Sequence, residues 1–179
     1  MDNKVLILID GSNFYFKLKD LKIERTLNFN FCKFADFLAN KQTIIDRRYY
    51  IGRIRQDGTK KTAELFKNQQ KLISHLQKNK FRYCFGYLMK SDGVYHEKGV
   101  DVQMAVDIVS SAYEKHCQRI ILVSSDTDLA LAIKKARSKG MIIEYIGFSH
   151  NPSVAMVSFC SDSRLLTKDE IAKFIEKHK

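Results

Sequence analysis

Residues 4–10 read Lys-Val-Leu-Ile-Leu-Ile-Asp, and this stretch decides the fold. Its five central residues are all apolar and do not alternate with polar ones, a pattern typical of a strand buried on both faces of a parallel sheet. Residues 119–124 read Arg-Ile-Ile-Leu-Val-Ser and repeat this pattern. We therefore expect two central parallel strands, each leading into a segment that contains aspartate.

Strand-like and helix-like segments alternate along the rest of the chain. Strands are predicted over residues 47–54, 81–89 and 141–146, and helices over residues 31–38, 62–78, 100–113, 129–137, 153–159 and 168–178. This alternation predicts an α/β fold, specifically a three-layer α/β/α, doubly wound architecture with a mostly parallel sheet of about five strands. In such sheets, ligands bind at the carboxyl ends of the strands.

Length and composition fit a globular protein. A chain of 179 residues that is 45% hydrophobic can bury about two-thirds of its unfolded surface without disulfides or structural zinc. We expect a single domain over residues 1–179, with its motifs within residues 4–165. The apolar run at residues 5–9 is far shorter than the roughly 20 residues that span a bilayer, so we expect no membrane segment and no export. The four cysteines form no C-x-x-C pair, which favours reduced thiols in a cytoplasmic protein.

Positive charge is concentrated in one segment. The whole chain has 31 Lys and Arg against 20 Asp and Glu, whereas residues 41–90 alone hold 13 against 3. A basic segment interleaved with aromatic residues is typical of surfaces that bind phosphates and stack bases; the aromatic residues are Tyr49, Tyr50, Phe81, Tyr83, Phe85 and Tyr87. The expected phosphate contacts are Lys60, Lys61, Lys67 and Lys71. The alternative is a solvated helix face with ordinary strand aromatics, because charge alone says little about partners.

Two aspartates follow the buried strands. Asp10 and Asp126 are expected at one edge of the sheet, and a doubly wound order can bring both within reach of one cation. Each also has a purely structural interpretation. Asp10 can begin a turn, while Asp126 can cap a helix, with Ser125-x-x-Asp128 as a capping box.

A third carboxylate lies in the helix predicted over residues 100–113. Asp101 lies at the edge of an apolar arc formed by Val102, Ala105, Val106, Val109 and Ala112. A carboxylate that faces a core is costly unless it is paired or bound to a metal, so we expect Asp101 to join the two strand-end aspartates. Asp107 lies on the opposite side of this helix and is interpreted as a solvated acid that can at most support the site from outside.

Several carboxylates at one edge favour a hard divalent cation, Mg²⁺ or Mn²⁺. Two such cations can support cleavage of a phosphodiester. Other chemistries fit less well. A haloacid-dehalogenase-type phosphatase needs a second aspartate where this chain has Ser12, and neither G-x-x-x-x-G-K-[ST] nor G-x-G-x-x-G is present. The five histidines have no metal-ligand spacing.

Three segments resemble the signature motifs of NYN domains, the LabA-like branch of the PIN-type nuclease superfamily. They are residues 9–13 (Ile-Asp-Gly-Ser-Asn), 98–107 (Lys-Gly-Val-Asp-Val-Gln-Met-Ala-Val-Asp) and 124–129 (Ser-Ser-Asp-Thr-Asp-Leu). The third motif departs slightly from the family, because Ser125 replaces the usual glycine and Leu129 the usual aromatic residue. The resemblance covers roughly residues 4–165 and implies a metal-dependent ribonuclease fold.

The resemblance also implies roles by motif position. The implied catalytic acids are Asp10, Asp101, Asp126 and Asp128, of which the first three are the metal ligands. Asn13 would orient the first acid, Gly11 would let the substrate backbone approach, and Lys98 would face a phosphate.

Together these observations predict a Mg²⁺- or Mn²⁺-dependent endoribonuclease whose partner is RNA, preferably single-stranded. The alternative is a nucleic-acid-binding adaptor or regulator that keeps the acids but does not cleave. A phosphatase or small-nucleotide hydrolase is disfavoured, because a small substrate has no use for a long basic segment.

Overall fold

A computed structural model describes residues 3–23, 26–91 and 94–176. The strands are β1 (Lys4–Asp10), β2 (Thr43–Ile51), β3 (Arg82–Phe85), β4 (Tyr87–Ser91), β5 (Val94–Lys98), β6 (Arg119–Val123), β7 (Ile142–Phe148) and β8 (Asp162–Leu166). The helices are α1 (Gly11–Asp20), α2 (Phe31–Ala39), α3 (Lys60–Lys78), α4 (Val100–Glu114), α5 (Ala130–Arg137), α6 (Val154–Phe159) and α7 (Lys168–Ala172).

Six strands form one parallel sheet in the order β3-β2-β1-β6-β7-β8. The two strands with the most apolar sequences, β1 and β6, are neighbours at its centre, where Ile9 pairs with Val123. The doubly wound order is therefore confirmed, with one strand more than the five expected. β4 and β5 form a separate antiparallel pair.

Both faces of the sheet are covered, because β1 is apolar on both sides. Ile7 and Ile9 face one core, which includes residues of α1, α2, α3 and α7. Leu6 and Leu8 face a second core, which includes residues of α4, α5 and α6. This arrangement gives the three-layer α/β/α architecture that the continuous apolar strands predict.

The structure corrects the prediction for β2, which spans Thr43–Ile51 rather than residues 47–54. Pairing with the first strand starts early, because the backbone N–H of Thr43 donates to the carbonyl of Asn3 at 2.8 Å. The segment 43–46 alternates between exposed and half-buried positions, so it carries a weak strand signal.

The strand predicted over residues 81–89 is two strands. Gly86 separates β3, which extends the main sheet, from β4, which pairs only with β5 among the described residues. β5 was not predicted from the sequence. Main-chain hydrogen bonds hold this hairpin, and it has no long apolar run that would reveal it.

Two further elements were not predicted. α1 begins directly after β1, because the Asp10 carboxylate caps it and Phe14 and Leu18 are fully buried against the sheet. The interpretation of this segment as a plain turn is therefore wrong. β8 follows the strand that was expected to be the last one, and three of its five residues are polar because it lies at the edge of the sheet.

The C-terminal helix is shorter than the predicted 168–178, since α7 ends at Ala172. The chain then turns back to an earlier loop, where Ile175 pairs with Phe29 and the backbone N–H of Glu176 donates to the Asn28 carbonyl. Residues 177–179 lie outside the described residues. The other predicted boundaries agree with the structure to within about two residues.

All four cysteines are free, and Cys117 and Cys160 are buried. Cys117 and Cys160 therefore act as small core residues, as expected, whereas Cys32 and Cys84 are only half-buried. Across the ranges that the structure describes, no helix combines the length and hydropathy needed to cross a membrane.

Candidate metal centre

Asp10 lies where β1 ends and α1 begins, and its carboxylate is fixed from two sides. Oδ1 accepts a hydrogen bond from the backbone N–H of Asn13 at 3.0 Å, and Oδ2 accepts one from the Ser124 hydroxyl at 3.0 Å. The residue is only 7% exposed. A capping role and a place in a polar site are therefore compatible here.

Asp126 follows β6 and caps a short 3₁₀ helix, Thr127–Leu129. Its Oδ1 accepts from the backbone N–H of Asp128 at 2.9 Å, and its own backbone N–H donates to the hydroxyl of Ser124 at 3.1 Å. Asp126 is therefore the cap, and the alternative capping box with Ser125 as the cap is wrong. The carboxylate stays partly accessible because one oxygen suffices for capping.

Asp101 lies in the first turn of α4, and the reason given for its position was wrong. The residue is exposed, and so are Val102 (59%) and Val106 (51%), which the helical wheel placed in the buried arc. α4 instead buries a face that contains Met104 and Ile108. Asp101 reaches the site from the rim of the sheet, since α4 starts there after Gly99, whose φ is 83°.

The three carboxylates converge as expected. One oxygen each from Asp10, Asp101 and Asp126 lies within 4.8 Å of the other two. The oxygens come from the ends of two adjacent strands and from the start of one helix. A set of carboxylate oxygens without sulfur or imidazole suits a hard divalent cation of the Mg²⁺ or Mn²⁺ type.

Burial and the charges of neighbouring carboxylates raise the pKa values of Asp10 and Asp101. Burial raises the pKa of Asp10, and the negative charges of Asp101 and Asp126 raise it further, while its two hydrogen bonds act in the opposite direction. Partial desolvation and the charges of Asp126 and Asp128 raise the pKa of Asp101. A divalent cation would offset this repulsion, because it favours the ionised form of every carboxylate around it.

Ser124 is a residue of the site that the sequence analysis missed. It is 1% exposed, donates to Asp10 and accepts from the backbone of Asp126, so one hydroxyl fixes the relative position of two acids. Its place in the third motif was the available signal, but the role of a serine there depends on how β1 and β6 pair.

The remaining residues implied by the motifs lie near the centre with distinct contacts. The side chain of Asn13 accepts from the backbone N–H of Ser125 at 3.2 Å, so it ties α1 to the loop after β6, while its backbone holds Asp10. Asp128 is exposed and lies outside the group of three carboxylates, close enough to affect Asp101. Lys98 ends β5, and its side chain lies outside the described part.

Packing inside the protein requires a glycine at position 11, independently of any substrate. A Cβ atom there would lie 2.3 Å from the ring of Tyr49 and 2.5 Å from the carbonyl oxygen of Tyr50. No larger residue fits this junction of β1 and α1. Its contact with a substrate backbone stays a prediction.

Asp107 is not the solvated acid that was expected. The Tyr50 hydroxyl donates to it at 2.5 Å, and the Arg48 guanidinium lies 2.9 Å from the same carboxylate oxygen. These contacts anchor α4 to β2 and help to place Asp101. The partners lie about 60 residues earlier in the sequence, so spacing within the helix could not reveal them.

In the basic segment, three of the five arginines pair with acidic residues. Arg47 pairs with Asp36 at 3.0 Å, Arg48 with Asp107, and Arg82 with Asp46. The four predicted phosphate contacts are all exposed on α3: Lys60, Lys61, Lys67 and Lys71. Among the described residues of this segment, α3 therefore carries the largest group of exposed lysines.

The expected stacking aromatics are mostly unsuitable. Tyr49, Tyr50 and Phe81 are 1–3% exposed and belong to the two cores. Tyr83 is 37% exposed and contacts Phe85, which lies beneath the Arg53 guanidinium. The side chain of Tyr87 lies outside the described residues.

Comparison with known proteins identifies the family to which this chain belongs. Residues 4–166 match the family model of the NYN domain. A search of curated proteins finds no match. Among solved structures, a protein of unknown function from Vibrio parahaemolyticus has a TM-score of 0.68 and 19% identity over 97% of this chain and 96% of that chain. An identity this low supports the fold alone, whereas the family match spans nearly all of the sequence and shows that the chain belongs to the NYN domain family within the PIN-like nuclease superfamily.

Proposed function

We propose that this NYN domain is a Mg²⁺- or Mn²⁺-dependent endoribonuclease that hydrolyses phosphodiester bonds of single-stranded RNA. The observation that carries the proposal is the convergence of the carboxylates of Asp10, Asp101 and Asp126 within 4.8 Å at the carboxyl edge of the sheet. The NYN family and the exposed lysines of α3 point to a nucleic acid as the partner.

The cation would be held by Asp10, Asp101 and Asp126, with Asp128 at its outer side. A divalent ion there supplies positive charge that stabilises the developing charge on the phosphate oxygens and promotes ionisation of the attacking water. Ser124 holds Asp10 and Asp126 in a fixed geometry before any ligand arrives, so little reorganisation is required. Asp128 would accept a proton from the attacking water, because its carboxylate is exposed and close enough to Asp101 to affect it electrostatically.

Substrate binding in this proposal is electrostatic. Lys98 and the exposed lysines of α3 would contact phosphates along the strand, which positions RNA without reading its sequence. Gly11, which has no side chain, would let the substrate backbone approach the acidic centre. One domain over residues 1–179 would then contain both the acidic centre and the basic surface.

The test is cleavage of a labelled single-stranded RNA with Mg²⁺, with Mn²⁺ and with EDTA. We expect wild-type protein to cleave only with metal. Asp10→Asn and Asp126→Asn should each lower the cleavage rate at least about 100-fold, because each removes a carboxylate ligand of the metal. Asp20→Asn is the matched control, since Asp20 is exposed at the far end of α1.

Two results would contradict the proposal. Equal cleavage by Asp10→Asn and wild type would place the activity elsewhere. Tight RNA binding by wild type without any cleavage at either metal would favour the adaptor or regulator.

A further inference from the structure

A pocket of about 740 Å³ is lined by residues of α1, of α3 and of the end of β2. Such a volume falls within the range of about 300–1,000 Å³ that is common for small-ligand sites. Gly11 and Ser12, which follow the metal ligand Asp10, form part of its wall. The wall of the pocket therefore starts at the residue that directly follows a metal ligand in the sequence.

The pocket has large apolar side chains that the fold does not bury. Tyr15 is 44% exposed, Phe16 is 58% exposed and Leu65 is 43% exposed, and all three line this one pocket. The rings of Tyr15 and Phe16 contact each other edge to face, with centroids 5.5 Å apart. Adjacent exposed aromatic rings offer stacking surfaces, and every nucleobase has a matching face.

Hydrogen bonds within the protein fix part of the pocket wall. The buried side chain of Gln69 donates to the Gly52 carbonyl at 2.5 Å and accepts from the backbone N–H of Ile54 at 3.0 Å, so it holds the loop after β2 in place. Tyr49 is packed tightly against Gly11 from below. A ligand would therefore meet a preformed cavity, which reduces the entropy lost on binding.

Charge and hydrogen-bonding groups around the pocket suit a nucleic acid. Lys61, Leu65, Asn68 and Leu72 follow a spacing of four, three and four residues and so share one face of α3. The last three line the pocket, which places Lys61 at its end. The whole helix carries five lysines and one glutamate. The exposed amide of Asn68 can both donate to and accept from the edge of a base.

We propose that this pocket is a nucleobase subsite, which takes one unpaired base of the RNA strand whose phosphate lies at Asp10, Asp101 and Asp126. The base stacks on Tyr15 or Phe16 and packs against Leu65. This inference rests on the proposed function, because it needs a strand at the acidic edge. It would account for the proposed preference for single-stranded RNA, since a base held in a duplex cannot enter the pocket.

The test measures binding of a short fluorescent RNA in which one nucleotide at a time is abasic. The parent protein carries Asp10→Asn, so that cleavage does not interfere. It is compared with double variants that also carry Phe16→Ala, Tyr15→Ala or Leu65→Gln. Tyr113→Ala is the matched control, because Tyr113 is 51% exposed on the opposite side of the sheet. Thermal unfolding of each variant verifies that the fold is intact.

We expect one abasic position to weaken binding by roughly 5- to 100-fold, the effect of losing one stacked base. Phe16→Ala or Tyr15→Ala should weaken the binding of intact RNA by a similar factor. The same substitutions should hardly change the affinity for the RNA that lacks this base. Tyr113→Ala should bind like its parent at every position. This coupling is the signature that a merely structural defect would not produce.

The outcomes separate the subsite from the nuclease. The subsite alone is overturned if cleavage depends on metal and on Asp10 but the effects of the abasic position and of the pocket substitutions are independent. Coupling without cleavage by wild-type protein overturns the nuclease alone, and no RNA binding overturns both. A variant that changes self-association in sedimentation, without changing RNA affinity, would assign the pocket to contact between copies and also overturn the subsite.

Discussion

Ser124 is the residue through which the two strand-end acids depend on each other. Replacing it by alanine removes the hydroxyl that donates to Asp10 and accepts from the backbone N–H of Asp126. Groups that orient metal ligands in this way typically contribute 10- to 100-fold to metal affinity. We expect Ser124→Ala to weaken Mn²⁺ binding by about that factor, measured by titration calorimetry.

The control for this prediction is Ser138→Ala. It removes an exposed hydroxyl that donates to the Lys135 carbonyl at 2.7 Å, away from the acidic centre. Unchanged Mn²⁺ affinity in Ser124→Ala would mean that the carboxylates need no support from this hydroxyl.

The crowded carboxylates make the stability of the metal-free protein depend on pH. The native state raises the pKa of Asp10 and Asp101 above 3.8, so it binds protons more tightly than the unfolded chain does. The free energy of unfolding therefore falls as pH rises from about 3.8 through the raised values. Above that window the repulsion is fully present.

Asp101→Asn tests this linkage, because Asp101 is exposed and its replacement disturbs no core packing. We expect the metal-free variant to be more stable than wild type at pH 7 by about 0.2–0.5 kcal/mol, the size of an exposed like-charge interaction. The difference should vanish well below pH 3.8, where the carboxyl group is protonated in both the native and the unfolded state. Urea unfolding in EDTA across this range measures it, and a variant less stable at pH 7 would contradict the account.

At the scale of elements, α3 carries the proposed contact with the RNA backbone. Reversing two of its exposed lysines, Lys67→Glu with Lys71→Glu, should weaken binding to all single-stranded sequences alike. Each lost phosphate contact should reduce the slope of log affinity against log salt by about 0.7, so two should reduce it by about 1.4. Filter binding at several salt concentrations measures the slope.

The same reversals at Lys134 and Lys173, which are exposed on α5 and beside α7, serve as the control. If the α3 reversals left both affinity and slope unchanged, the lysines would be a solvated face and the basic segment would have another role.

The sequence was sufficient for elements whose signal is local. β1 and β6 were predicted because five and four consecutive apolar residues are buried on both faces, and the aspartates at their ends converge because parallel neighbours end at one edge. Asp101 was assigned correctly to this group but for the wrong reason, since its helix exposes Val102 and Val106.

Elements that depend on distant partners could not be predicted. β2 ends early because Gln69, a residue of α3, takes over the hydrogen bonds of the chain after Ile51. β8 has a polar sequence and exists through its pairing with β7. Asp107 was read as solvated because its partners, Tyr50 and Arg48, lie on another element.

At the scale of the whole molecule, a bound cation should stabilise the native state. Since only the folded chain brings the three carboxylates together, a metal concentration of 100 Kd should add about 2.7 kcal/mol to the free energy of unfolding. For a chain of this size that corresponds to a rise of about 5–10 °C in Tm.

Calorimetric melting with Mn²⁺ and with EDTA measures this rise. Asp126→Asn should abolish most of it, whereas Asp20→Asn should preserve it. A rise of equal size in both variants would indicate that the metal binds outside the acidic centre.

The central claim is that Asp10, Asp101 and Asp126 hold a divalent cation, and anomalous diffraction from crystals grown with Mn²⁺ tests it most directly. We predict an anomalous peak between the three carboxylates, about 2.0–2.3 Å from at least one oxygen of each. A fully loaded crystal without a peak there, or with Mn²⁺ peaks only elsewhere on the surface, would contradict it.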